Sequence, residues 1–505
     1  MKTSRTLLFI LSVFLLLGVG WFFFPAEGFS IGKLDLRFPS YAEDRMGPQA
    51  TVDVDSVLNK VNKSFEMSVS ETLLDSLVFY RDYLILNPNR IHLPGDDYTY
   101  FDSLFFLLDN AKQDKKVYRV IHYGDSQIEM DRISSVLRQR LQELFGGSGP
   151  SMIPAVKSIS SISVIQGYSG GLVRYALVGD STTRRASHNR YGMMTQFCQT
   201  NGQSTINFST TKHSQAYEKV KEISRVSILI GNNSEGFKAS LKASGVQFET
   251  KECEAKAGPS LLTWELPNNV ERGTITLQGS AEIYGVMLDG DYGVALDNIA
   301  LRGCSGTIFT RINKDLMAES IKLTDTRLII LQFGGNRMPM ISGLKSISNY
   351  MNELDRQLKY FKEVAPQATF LFIGPADMGK SYNGKVTTWK GLPELNDSIK
   401  ALALRNDMAY WDMFHVMGGE GSMAQFVKHK PPLGGPDHIH FTFTGAQEIG
   451  NDLAKSFIVY HDFYKLRQQL PNDSLMQFMN KDREIIEQEK EARKYKFEPT
   501  NFYHE

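Results

Sequence analysis

The chain has 505 residues, 42% of them apolar and 22% charged. At roughly 100–200 residues per domain this length suggests two to four domains, and the composition excludes global disorder and a disulfide-stapled miniprotein. Lys plus Arg number 56 and Asp plus Glu number 56, so the basic excess of a nucleic-acid-binding protein is absent.

In chain order, Lys2 and Arg5 precede Leu7–Phe24, an uncharged run rich in Leu, Phe, Val and Ile. As a helix this run is about 27 Å long at 1.5 Å per residue, against a bilayer core of about 30 Å. Its exit, Trp21-Phe22-Phe23-Phe24-Pro25, is bulky and aromatic. That suits a membrane interface better than the small residues of a cleavage site. Residues 1–28 are therefore expected to be a retained signal anchor, with a cleaved signal peptide as the alternative. Either way the rest of the chain is expected to be exported. Of the three cysteines, Cys198, Cys253 and Cys304, the first two form a conceivable disulfide in that setting. No Cys/His spacing resembles a structural zinc site.

Residues 29–112 read as a linker and helical lead-in, with helical patterns around Val57–Val61 and Leu73–Val78. Residues 113–155 carry a buried-strand pattern at Val117–Tyr123, the tight turn Gly124-Asp125-Ser126, and helix spacing over Ile133–Phe145. Residues 156–290 change texture. Short alternating runs such as Val226–Ile230, Phe237–Leu241, Leu261–Leu266 and Thr274–Leu277 are separated by Gly, Asn and Ser, as in a β-sandwich or jelly roll. Residues 291–465 return to α/β texture: strands are expected at Leu296–Leu301, Leu328–Phe333 and Thr369–Ile373, a crossover helix at Ile347–Val364, and a last helix at Gly445–Phe457. Residues 466–505 alternate charge at helical spacing and read as a solvated helical tail.

Two motif matches fail on context. Gly374–Ser381 fits the phosphate-loop expression, but Tyr382-Asn383-Gly384 and Thr387-Thr388 do not continue as a phosphate-cradling helix. Gly167–Gly171 fits the nucleophile-elbow pattern, yet it lies at the start of the β-rich segment, without a buried strand before it. A third constellation is more coherent. Ser126 stands at the carboxyl end of the first strand, where ligands bind in open α/β sheets. Asp437 and His440 share one loop before the last helix, and Asn336 follows the strand Leu328–Phe333. Ser, His and Asp together make an activated nucleophile, and an Asn side chain can donate to a developing oxyanion. His438 is a rival base on the same loop, and His122 reads as packing.

These blocks, Gly124-Asp125-Ser126, Gly334-Gly335-Asn336 and Asp437…His440, resemble those of the SGNH hydrolase (GDSL esterase/lipase) family. The lone-Gly block of that family falls best on Gly303, and the Asp that usually ends the third block is replaced by Arg337, which would put a cation near the site. The resemblance covers about residues 115–155 and 290–460. It implies a flavodoxin-like, three-layer α/β/α domain with a parallel sheet, interrupted by an all-β insert. It implies Ser126 as nucleophile, His440 as base and Asp437 as its orienting partner. The oxyanion hole would comprise the N–H groups of Ser126 and Gly303 and the side chain of Asn336. No cofactor or metal is implied, and no nucleotide or nucleic acid.

With the N-terminal segment, the resemblance implies an enzyme on the periplasmic face of a bacterial cell envelope. Such an enzyme would remove O-acetyl or other short acyl groups from polysaccharide or peptidoglycan. Two alternatives share these features: an O-acetyltransferase partnered by a membrane-bound O-acyltransferase, and a non-catalytic glycan-binding protein. Trp264 and Tyr284 in the insert are candidate sugar-stacking residues, with core packing as the competing assignment.

Overall fold

The computed structural model describes residues 73–469 except Asn383, together with residues 29–31, 34–36 and the isolated positions 13 and 479. Apart from those two isolated positions, the proposed anchor, the first helical pattern of the lead-in and the charged tail beyond residue 469 lie outside the described residues. Among the described residues no helix is long and apolar enough to cross a membrane. Phe29–Ile31 and Leu34–Leu36 pair as a small antiparallel hairpin in a unit of their own.

From residue 73 onward, the apolar runs become the centre of a six-stranded sheet. Its spatial order is Gly293–Ala300, Val117–Gly124, Thr326–Gln332, Thr369–Ile373, Ala409–Trp411 and Ile91–His92. The first five run parallel, and Ile91–His92 closes the far edge antiparallel. Val117–Gly124 is buried over nearly its whole length, as expected of a parallel strand covered on both faces. On one face pack the helices Leu73–Leu86, Asp102–Asp114, Ser134–Phe145 and Phe443–Arg467, whose apolar stripes meet Val120, Ile330 and Leu371. On the other pack Lys314–Leu323, Leu344–Val364 and Leu392–Arg405, meeting Ile121, Ile329 and Phe372. Adjacent strand residues thus serve opposite cores, the period-two consequence of strand geometry. The result is a three-layer α/β/α domain.

The β-rich segment folds as two six-stranded antiparallel sheets. Their inner faces enclose a separate core that includes Ile206, Ile228, Leu241, Trp264 and Ile275. Ser151–Ile153, ahead of residue 156, already pairs with Ala281–Asp289 of this sandwich. The strand Val164–Gly170 contains most of the Gly167–Gly171 match, so that sequence is sheet and not an elbow. Gly379–Tyr382 and Lys385–Thr388 form a hairpin, which is why the phosphate-loop match at Gly374 has no helix behind it. Cys198 and Cys253 are both free thiols, so the conceivable disulfide is not formed.

Candidate active site

Every parallel strand of the central sheet ends at the same edge, and a cleft of about 550 Å³ opens there. It is lined by Ser126, Gly303, Asn336, Pro375, Met413 and His440, among others, so each strand end and the His440 loop contribute. The chain reverses its strand order between Val117–Gly124 and Thr326–Gln332, the place where open α/β sheets bind ligands.

The nucleophile turn is built locally. Gly124 ends its strand against Ile128, and a Cβ there would come within 2.9 Å of the Ile128 side chain. Asp125 caps the single turn Ser126–Asp131 by accepting the Gln127 N–H at 3.0 Å. This leaves Ser126 half-buried at the head of the cleft. Ser126 Oγ lies 2.8 Å from His440 Nε2. His440 Nδ1 lies 2.7 Å from Asp437 Oδ2. Asp437 also accepts the backbone N–H groups of Ile439 and His440, each at 3.0 Å, so one carboxylate shapes the loop and orients its histidine. Partial burial pushes the Asp437 carboxyl upward, but the bond from His440 and these backbone bonds outweigh it and hold the group below its usual range. His438 does not share this geometry: its carbonyl receives the Gly379 N–H at 2.7 Å, and its Nδ1 is buried without a partner among the described residues.

The three expected oxyanion donors converge on the same cleft. Gly303 adopts φ +74°, the left-handed region that favours glycine, and a Cβ there would meet nothing within 4 Å. Asn336 Nδ2 donates to Asp125 Oδ2 at 2.8 Å and rests at 3.3 Å from the Cys304 carbonyl. The first bond fixes the amide. Asp125 is thus a brace for both the Ser126 turn and the Asn336 amide. Burial pushes its carboxyl up to about 6, opposed by the Gln127 N–H, the nearby His440 and Asn336.

Several residues outside the motifs tie these loops together. Arg132 donates to the carbonyls of Ser126 at 2.8 Å, Phe441 at 2.9 Å and Glu129 at 3.1 Å. Gln127 Nε2 donates to the Ile439 carbonyl at 2.7 Å. Together they lash the nucleophile turn to the histidine loop across more than 300 residues of chain. Glu129 holds Arg302 by two bonds of 2.5 and 2.6 Å, linking the same turn to Gly303. No short motif marks these residues, because each acts only through a partner distant in sequence.

Arg337 does not supply the cation expected of it. Its guanidinium turns to the helix Leu344–Val364, bonding Glu353 at 3.2 Å and lying over the Tyr350 ring at 5.2 Å. His122 is buried between Gln332 at 3.0 Å and Ser134 at 2.9 Å, and burial lowers it to about 4, so it is a neutral packing histidine. Trp264 and Tyr284 are 2% and 1% exposed and belong to hydrophobic cores, so neither can stack on a sugar. The aromatics that do line the cleft are Phe333 and Trp389, and no sequence pattern marks Trp389 because it follows a polar hairpin. Among the described residues no cluster of His, Cys, Asp and Glu could hold a metal ion.

No family model matches the sequence, and no curated protein matches it. Solved structures do match in three dimensions. A peptidoglycan O-acetylesterase is 17% identical with a TM-score of 0.57, over 72% of this chain and 96% of its own. A putative GDSL-like lipase from Parabacteroides merdae is 15% identical with a TM-score of 0.25, over 33% of this chain and 74% of its own. A family two carbohydrate esterase from Cellvibrio japonicus is 10% identical with a TM-score of 0.23, over 59% and 99% respectively. The first of these has a TM-score above 0.5 and covers 72% of this chain. This chain shares its fold with that peptidoglycan O-acetylesterase: a three-layer α/β/α domain with a β-sandwich insert.

Proposed function

We propose that the protein is a serine ester hydrolase that removes O-acetyl or other short acyl groups from a cell-envelope polysaccharide or peptidoglycan. The observation that carries this reading is the hydrogen-bonded chain Ser126–His440–Asp437 at the head of a cleft that also contains Gly303 and Asn336. His440 Nε2 takes the Ser126 proton as Oγ attacks the acyl carbonyl. The oxyanion is met by the N–H groups of Ser126 and Gly303 and by Asn336 Nδ2. His440, held by Asp437, returns the proton to the leaving sugar hydroxyl and leaves an acyl-Ser126. Water, deprotonated by His440, then releases the acid. Arg132 and Gln127 keep the two loops in register throughout.

The fold shared with a peptidoglycan O-acetylesterase supports an acetylated envelope glycan as substrate. The apolar Leu7–Phe24 segment after Lys2 and Arg5 supports export and anchoring on the periplasmic face. The test is free acetate released from acetylated peptidoglycan or polysaccharide by the purified full-length protein, alongside fluorophosphonate labelling. The expected result is acetate release and a label on Ser126. Ser126→Ala should abolish the label and cut the rate by about 10⁵-fold or more. Acetyl transfer to an added acceptor with no free acetate would reassign the protein as a transferase. Absence of labelling would leave the glycan-binding alternative.

A further inference from the structure

One rim of the cleft carries a group that the acyl-transfer chemistry does not use. The segment Gly379–Lys390 contains three lysines, Lys380, Lys385 and Lys390, and no acidic residue. Its two ends are tied to the surrounding loops. The Gly379 N–H donates to the His438 carbonyl at 2.7 Å, the Trp389 N–H to the Met378 carbonyl at 2.9 Å, and Thr388 Oγ1 to Asp377 at 2.8 Å. These bonds place the Trp389 indole in the cleft wall beside Met378, in the same cavity as Ser126 and His440.

Lys380 Nζ sits 4.5 Å from the Trp389 ring centroid and 5.7 Å from that of Tyr382. Lys390 Nζ lies 5.6 Å from the Tyr382 ring. Both lysines are exposed, and neither has a carboxylate partner among the described residues. The other charges at the cleft are already committed. Asp125 is bonded to Gln127 and Asn336, Glu129 holds Arg302, and Arg132 is spent on carbonyls. Lys380, beside the Trp389 ring of the cleft wall, is therefore positive charge without a carboxylate partner among the described residues, and Lys390 lies on the far side of Tyr382 from it.

We infer that Trp389, with Lys380 and Lys390, forms a sugar subsite at the end of the cleft, and that the preferred substrate is an acidic glycan carrying a carboxylate on or next to its acylated residue. The indole offers an apolar face to the sugar ring, as aromatic residues do in ligand clefts. A lysine held over an aromatic ring keeps its charge close to apolar surface, where it is less screened than in open water. The subsite depends on the esterase reading for its use in turnover, but not for binding.

The experiment compares wild type with the double variant Lys380→Gln/Lys390→Gln on two acetylated oligosaccharides of matched length, an acetylated oligogalacturonide and an acetylated xylo-oligosaccharide. The acidic-to-neutral ratio of kcat/KM should exceed one in wild type and fall by about ten-fold in the variant, mostly through KM, the scale of two partly screened ion pairs. An unchanged ratio would overturn the inference. In the Ser126→Ala background, calorimetry with unacetylated oligogalacturonide and xylo-oligosaccharide should show the same preference. Equal affinity for the two would likewise overturn it. Trp389→Ala should weaken both ligands about ten-fold, with Trp389→Tyr recovering most of that. Full affinity in Trp389→Ala would exclude the platform. If wild type releases no acetate from either substrate yet Ser126→Ala keeps its binding preference, the esterase reading fails and the subsite stands.

Discussion

The α/β layers and the β-sandwich use the same residue types to opposite ends. At the carboxyl edge of the parallel sheet, Trp389 lines a cleft with Ser126, Asn336 and His440. In the sandwich, Trp264 is sealed in a core, its indole N–H satisfied by the Glu249 carbonyl at 2.8 Å. Topology explains the difference. Parallel strands all finish at one edge, so their loops gather around one concavity. Antiparallel strands distribute their turns to both ends and bury alternate side chains between two sheets, so a large aromatic on an inner face becomes core.

The two regions meet at a buried ionic seam. Arg119, on the strand Val117–Gly124, bonds Asp289 at the end of a sandwich strand and Asp297 on the neighbouring strand of the parallel sheet, each at 2.5 Å. Asp297 also accepts the Met152 N–H at 2.9 Å, and burial pushes its carboxyl up to about 6 despite Arg119. The insert is therefore wired to the strand that leads into Ser126.

Four substitutions probe this division, from the largest effect to the smallest. Asp437→Asn removes the acceptor that orients His440 and should lower kcat by about 10³–10⁴-fold with little change in melting temperature; a loss below ten-fold would mean that the loop backbone alone holds the histidine. Trp264→Ala should cost about 3–5 kcal/mol of stability in denaturant titration and leave small-ester turnover intact below the transition. A selective loss of activity would instead connect the sandwich core to the chemistry. Asn336→Ala removes one oxyanion donor and should reduce kcat by about 10²–10³-fold, with KM nearly constant.

The smallest effect concerns pH. The folded-state pKa of Asp125 is raised to about 6, so between the unfolded value and that point the native state binds the extra proton. Its contribution to stability is full below about pH 4 and is lost as pH rises through about 6. Asp125→Asn should flatten the pH 4–6 portion of the stability curve, measured by chemical unfolding. An unaltered slope would assign that dependence to other buried carboxyls such as Asp297.

Much of the α/β half is legible in the sequence. Val117–Tyr123 and Thr369–Ile373 signal buried strands because they lack a polar face, and Ile347–Val364 signals a helix by its 3.6-residue spacing. Thr369–Ile373 is observed with the bounds read from the sequence, and Val117–Gly124 and Leu344–Val364 differ only at one end. Less legible are strands too short to show a period, such as Ala409–Trp411 and Ile91–His92. The hairpin around Lys380 is hidden too, since its polar composition reads as loop.

What the sequence determines by itself is the order of chemical groups along the chain and the periodicity that places them at strand ends. Ser126, Asn336, Asp437 and His440 can be named because each follows or precedes an element with a strong local signal. Only the tertiary structure decides which way side chains face. It turns Arg337 towards Glu353, binds Asn336 to Asp125, leaves Cys198 and Cys253 unpaired, buries Trp264 and places Trp389 in the cleft. The physical reason is common to all five. A side chain's direction is set by the partners packed against it, and here those partners come from distant segments or from the opposite face of a sheet, beyond the reach of any local pattern.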